Sequence, residues 1–125
     1  MRHVPLVGDV AAGTDVLAQE NVEELFPLPE DFTGSGGDLF MLRVRGDSMI
    51  GDGILDGDFV VARAQTTAEN GDIVAALVDQ QTTLKRLIKQ GGKVYLKSEN
   101  KNYPNIEPVS ELVIQGIAKQ VVKKI

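Results

Sequence analysis

The chain has 125 residues, 42% of them hydrophobic and 25% charged, with a formal net charge of −5. That fits one domain of ordinary size with a real core, and argues against a disordered chain or a long multidomain enzyme. There is no cysteine and one histidine, His3, which excludes disulfides, thiolate metal sites and cysteine nucleophiles and argues against a Ser-His-Asp triad or a multi-histidine metal centre.

In chain order, Val4–Val10 reads as the start of a strand running into the small residues Ala11-Ala12-Gly13. Residues 14–26 are mixed and acidic. Phe26-Pro27-Leu28-Pro29 cannot be a central strand, because two prolines remove ladder donors. Thr33–Gly37 is a loop, and Leu39–Val44 is a strand with Phe40, Leu42 and Val44 on one face. Asp47–Asp58 is dense in Gly and Asp and must turn, with room for one helical turn over Ser48–Ile54. Phe59–Ala64 is a strand, Asn70-Gly71 a turn, and Ile73–Val78 an apolar strand suited to burial on both faces. Asp79-Gln80 turns into Thr82–Ile88, Gly91-Gly92 turns into Val94–Lys97, Ser98–Pro108 is polar and loop-like, and Val113–Val122 is a final strand. These short β-branched runs broken by turn residues predict a mostly β domain. Residues 38–125 account for the compact β core. Residues 1–37 read as an N-terminal arm or cover.

Charge is uneven: residues 1–64 hold four Lys/Arg against twelve Asp/Glu, and residues 65–125 nine against six. An acidic chain is a poor nucleic-acid binder on its own, and the lysines of the second half read as solvated strand edges. No apolar run reaches the roughly 20 residues needed to span a bilayer, and no signal-peptide pattern opens the chain. No membrane association is expected, and the expected compartment is cytoplasmic.

The sequence offers few constellations that carry chemistry. Asp47, Asp52, Asp56 and Asp58 invite a calcium reading, but counted from Asp52 an EF-hand loop has Ile54 at position 3 and Arg63 at position 12. The pattern fails, and turn formation accounts for these aspartates. No phosphate-binding glycine motif is present. Neither a metal nor a cofactor is expected.

What remains is Ser48 in Gly46-Asp47-Ser48-Met49, directly after a strand and at the entry to a turn. There its hydroxyl lies beside free backbone N–H groups, a candidate oxyanion hole. With histidine unavailable, the base for a serine is a lysine, and a lysine accepts a proton near neutral pH only if apolar burial depresses its pKa. Lys85 in Thr83-Leu84-Lys85-Arg86-Leu87 shares strand parity with Thr83 and Leu87 and fits best. The alternative is a turn serine and a solvated strand lysine.

Taken together, Val4-Pro5-Leu6-Val7-Gly8 with Val10-Ala11-Ala12-Gly13, then Gly46-Asp47-Ser48-Met49, Asp56-Gly57-Asp58, Asn70 through Ala76, and Thr83 through Leu87 resemble the C-terminal self-cleaving domain of a LexA-type SOS repressor, of the peptidase S24 family. The resemblance runs from about Val4 to Val122. It implies Ser48 as nucleophile, Lys85 as general base and Ala12–Gly13 as the bond the domain cuts in its own chain. The Ser48 backbone N–H is the oxyanion candidate, with Asp47 or Met49 as its possible companion. Met49 and the other motif members serve packing and backbone placement. It further implies a mostly β, signal-peptidase-like fold with a mobile cleavage-site arm. Its implied partners are a RecA–single-stranded DNA filament and a second copy bound through the C-terminal strand, where Val113, Ile114, Ile117, Val121 and Val122 supply apolar surface. A full repressor of this type carries a helix-turn-helix domain, absent from this chain, so operator DNA is expected to be bound only through that missing domain. The alternatives are a UmuD-type accessory protein of translesion synthesis, an inert dimerisation module, and a signal-peptidase-like enzyme acting on other chains.

Overall fold

Short apolar runs punctuated by Gly, Asn and Asp leave little to build but strands, and strands are what forms. The computed structural model describes residues 1–8, 15–31, 37–107 and 112–123. Its elements are β1 (Arg2–Val7), β2 (Val22–Leu28), β3 (Leu39–Arg43), β4 (Phe59–Ala64), β5 (Ile73–Val78), β6 (Gln81–Gln90), β7 (Lys93–Lys97) and β8 (Val113–Val122), with single 3-10 turns at Gln19–Asn21 and Ile50–Asp52. The strands form one sheet in the order β2-β1-β3-β4-β8-β5-β6-β7. All neighbours are antiparallel except β1 and β3, which meet in a single parallel bridge, Leu6↔Met41. The mostly β reading holds.

Both faces of the middle strands are buried. Leu39, Met41 and Val61 pack with Val4 and Leu6, while Phe40 and Ala62 pack on the opposite face with Val7, Val16 and Ala75. Phe40 and Leu42 share one face as expected, and the alternate residues Leu39 and Met41 are buried on the other, as a strand paired on both sides allows. A third cluster holds Val74, Ala76, Leu87, Leu96 and Ile117, and a fourth holds Met49, Ile54 and Val60 under the loop after β3.

Strand ends reflect pairing partners. Thr82–Ile88 lengthens to Gln81–Gln90 because β6 pairs with β5 through residues 81–86 and with β7 through residues 86–90. Its turn takes Asp79 and Gln80 at φ 48° and 66°, and the next hairpin takes Gly91 and Gly92 at 58° and 80°. These are the positive-φ pairs that two-residue hairpins require, glycine at no steric cost and Asp-Gln at some. Gly116, opposite Ala75 and Ala64, admits no side chain: a Cβ there would lie 2.7 Å from the Arg63 carbonyl oxygen and from the Phe40 ring.

Two placements differ from the sequence reading. Within the stretch expected as an arm, residues 2–7 and 22–28 are strands of the common sheet, and Val4 and Leu6 are almost wholly buried. β2 was hidden by its acidic composition. It is held by its ladder to β1 and by Phe26, which packs against Phe59 with ring centroids 5.5 Å apart. Pro27 sits on this edge strand, where a missing donor costs no ladder bond. The C-terminal strand β8 lies inside the sheet, between β4 and β5. Ile117, Val121 and Val122 pack into the chain's own core, leaving Val113 exposed at 43%. Among the described residues, β5 covers only positions 113–117 of β8, so residues 118–122 have a strand partner on the β4 side alone. Among the described residues no helix is long and apolar enough to cross a membrane.

Candidate active site

The site grows from the loop that joins β3 to β4. Its base is closed by the Val44 N–H donating to the Asp58 carbonyl at 2.7 Å and the Gly57 N–H donating to the Val44 carbonyl at 2.8 Å. The aspartates considered above as metal ligands serve this loop. Asp56 accepts from the Gly46 N–H at 2.7 Å, Asp58 from the Leu55 N–H at 2.8 Å and from Lys123 at 2.7 Å, and Asp52 from Arg86 at 2.8 Å. Gly46 holds φ +83° as the chain leaves the strand. The 3-10 turn Ile50–Asp52 ends on Gly53 in the left-handed conformation, which glycine adopts without strain. Met49, 2% exposed, drives into the cluster with Ile54 and Val60. That anchor fixes its neighbour Ser48 at the surface of a cleft.

Lys85 comes from β6. Its parity places it on the side of the buried Leu87, and it is itself only 7% exposed. The Lys85 Nζ donates to Ser48 Oγ at 3.0 Å, to Thr83 Oγ1 at 3.0 Å and to the Leu84 carbonyl at 3.3 Å. Among the described residues no carboxylate forms an ion pair with it. Burial without a compensating anion disfavours the ammonium, so its pKa lies below the usual 10.5.

Three partners suit either protonation state. The ammonium donates to all three. The neutral amine keeps two N–H bonds, for Thr83 Oγ1 and the Leu84 carbonyl, and turns its lone pair to the Ser48 hydroxyl, which then donates. The arrangement can therefore draw a proton from Ser48 Oγ onto Lys85 Nζ without moving either residue.

The cleft holds about 470 Å³ and lies between the residue 43–49 loop and the β5–β6 hairpin, residues 78–85. Ser48 and Lys85 line it, and so does Gly8, four positions before Ala12. Ala12 and Gly13 themselves lie outside the described residues. The Ser48 backbone N–H, the oxyanion candidate, donates to no group among the described residues.

Other groups shape the site that sequence reasoning did not single out. Thr83 stood in the sequence as a motif member and for its strand parity, without a role of its own. Arg86, on the opposite face from Lys85, ties the loop to the rest of the molecule. Its guanidinium donates to Asp52 and Glu99, each at 2.8 Å, and to the Gly71 carbonyl. The polar stretch after β7 lies against the serine loop: the Gly51 N–H donates to the Glu99 carbonyl at 2.7 Å, Asn100 Nδ2 to the Asp47 carbonyl at 2.9 Å, and the Tyr103 hydroxyl to Asp47 Oδ1 at 2.5 Å. The Asp47 carboxylate in turn holds the Tyr103 phenol above its ordinary pKa. No local pattern reports such contacts, since Asn100 and Asp47 are 53 positions apart. The one available signal was the turn chemistry of Asn100 and Asn102.

Comparison with known proteins narrows the chemistry. A family model described as Peptidase S24-like matches residues 5–119. The chain is 51% identical over 119 residues to the LexA repressor of Pelotomaculum thermopropionicum, an alignment covering 95% of this chain and 57% of that protein. It is 48% identical over 123 residues to the LexA repressor of Streptomyces avermitilis, covering 98% of this chain and 52% of that protein. The LexA repressor of Frankia alni is 46% identical over 123 residues, with 98% and 48% covered. The chain thus spans about half the length of the relatives it matches.

Proposed function

The chain belongs to the peptidase S24-like family, and from that premise we propose that it is the self-cleaving serine peptidase domain of a LexA-type repressor, in which Ser48 and Lys85 cut the chain's own Ala12–Gly13 bond. The observation that carries this reading is the 3.0 Å contact between Lys85 Nζ and Ser48 Oγ inside a cleft. Gly8, in the lining of the cleft, supports delivery of Ala12–Gly13 from the connection between β1 and β2, which is the cleavage-site region in this reading.

Neutral Lys85 takes the Ser48 hydroxyl proton as Oγ bonds to the Ala12 carbonyl carbon. The Ser48 backbone N–H receives the oxyanion that forms. Collapse of the tetrahedral intermediate breaks the C–N bond, and Lys85 returns the proton to the Gly13 nitrogen. Water then attacks the acyl-enzyme and gives a proton to Lys85, which passes it to Ser48 Oγ as the ester C–O bond breaks, leaving a carboxyl group on Ala12 and the Ser48 hydroxyl. Small residues at the scissile bond fit a tight approach, and tethering gives the substrate a high effective concentration.

Such a domain needs restraint. In this reading the cleavage-site region is mostly undocked, and a RecA–single-stranded DNA filament shifts the balance toward docking. Dimerisation uses the half-open stretch of β8, residues 118–122, rather than apolar side chains already spent in the core. The relatives carry the name repressor, and operator binding is assigned to the half of their length that has no counterpart here.

The test is intact mass after incubation at pH 7 and pH 10, beside Ser48→Ala. Because the Lys85 pKa is lowered from 10.5, the neutral fraction and the rate rise with pH, about tenfold per unit below the pKa, and flatten above it. Fragments 1–12 and 13–125 accumulating faster at pH 10, and absent from Ser48→Ala, are the expected result. A rate that rises with pH at no point between pH 4 and pH 10 removes Lys85 as the base, and no splitting at all removes the peptidase. Thr83→Val keeps the shape but deletes the acceptor that orients Lys85. The plateau rate should fall on the order of tenfold to a hundredfold, measured by the same mass assay, with the melting temperature nearly unchanged.

A further inference from the structure

We infer that Asn100 is a positioning residue that aims the Ser48 backbone N–H into the cleft, so that the segment after β7 sets the oxyanion hole from outside it. The inference rests on the reading of Ser48 as the nucleophile. It starts from the peptide unit joining Asp47 to Ser48. This peptide bond is trans, as are all those among the described residues, so the Asp47 carbonyl and the Ser48 N–H point in opposite directions. Whatever holds one orients the other.

The carbonyl is held from one side. It accepts from Asn100 Nδ2 at 2.9 Å and from the Ile50 N–H at 3.2 Å. Neither Asn100 nor Ile50 lines the cleft, whereas Asp47 and Ser48 do. The carbonyl therefore faces away from the cleft and the Ser48 N–H faces toward it, with no partner of its own among the described residues. An unspent donor, fixed beside the nucleophile before any substrate arrives, is the preorganised element that oxyanion stabilisation requires.

Asn100 is itself held at both ends of its amide. Its Oδ1 accepts from the Asn102 N–H at 3.0 Å, its carbonyl accepts from the Tyr103 N–H at 3.0 Å, and its Nδ2 is left to reach Asp47. This is an Asx turn whose free amide end serves the neighbouring loop. Tyr103, from the same turn, holds the Asp47 side chain through Oδ1. The two contacts clamp Asp47 by main chain and side chain together.

Asn100→Asp is the discriminating variant, because a carboxylate still accepts from the Asn102 N–H but has no proton for the Asp47 carbonyl. Asn100→Ser serves the same comparison should Asn100→Asp prove unstable, since its hydroxyl supports the turn but does not reach the carbonyl. Self-cleavage of the full chain is followed by intact mass from pH 7 to 11, which separates the plateau rate from the midpoint of the pH profile, and thermal melts are recorded alongside. The expected result is a plateau at least tenfold below wild type in either variant, since loss of an oxyanion donor outright costs on the order of 100-fold or more. Melting temperature should hold, and in Asn100→Ser so should the midpoint. In Asn100→Asp the added carboxylate raises the midpoint, but the plateau is read above it. An unchanged plateau, or a fall that only tracks a lower melting temperature, overturns the inference while leaving the peptidase reading in place. A wild-type chain that never cleaves removes that reading, and the inference with it.

Discussion

Lys85→Met is expected to abolish self-cleavage and, at neutral pH, to raise the melting temperature. The first effect follows from the proton inventory. Among the described residues Lys85 is the titratable group hydrogen-bonded to Ser48 Oγ, and loss of a catalytic base from a serine peptidase costs on the order of 10⁴-fold or more. The second follows from burial. Lys85 is 7% exposed and has no anionic partner among the described residues, and a charge held this way costs stability that a methionine of similar shape does not. The sign of the pH dependence can be worked out. The folded-state pKa is lowered below the unfolded value near 10.5. Below the folded pKa both states carry the proton and the full penalty applies. Between the two values the unfolded chain binds more protons, so wild-type stability climbs with pH, and above 10.5 the penalty is gone. The advantage of Lys85→Met should therefore be greatest near pH 7 and shrink as pH rises through the folded pKa toward 10.5. Thermal melts of both proteins across that range provide the check. A variant less stable than wild type at pH 7 would mean that burial of the ammonium is not the cost inferred here, and would remove the reason for a base active near neutral pH.

Met49→Ala is expected to lose ~2–5 kcal/mol of stability and to slow cleavage beyond what that loss explains. Met49 is 2% exposed and fills the space among Ile54, Val60 and their half-buried neighbours Val44, Ile73, Leu84, Ala118 and Val121. Truncation leaves a cavity under the loop that carries Ser48, and the whole fold has only about 5–15 kcal/mol to lose. The urea midpoint should fall with an unchanged slope, which marks lost stability rather than a changed unfolded state. At a temperature where the variant is fully folded, the cleavage plateau should still be depressed, because the neighbouring residue no longer fixes the Ser48 backbone. Met49→Leu preserves volume and should stay within about 1.5 kcal/mol of wild type. A folded Met49→Ala that cleaves at the wild-type rate would separate the core from the site.

The sequence by itself determined the local grammar of this protein. Phe59–Ala64, Ile73–Val78 and Val113–Val122 appear as strands with the bounds their sequence predicts, because each is rich in apolar and β-branched residues. Pro27 kept its strand to an edge, and Asp79-Gln80 and Gly91-Gly92 placed two hairpins. Ser48 and Lys85 stood out by elimination once cysteine was absent and histidine nearly so. Tertiary structure decided what local pattern cannot encode. β2 exists because β1 offers it a ladder, not because Val22–Leu28 looks like a strand. β8 became an interior strand because both β4 and β5 claim its edges, which turned its apolar residues inward. The depression of the Lys85 pKa needs its burial, and its contact with Ser48 spans 37 positions of chain. Asn100 acts on Asp47 only because the turn after β7 folds back over the serine loop. Composition and periodicity are properties of neighbours in sequence. Register, burial and the direction of one backbone N–H are properties of neighbours in space, and the chemistry of this site depends on the latter.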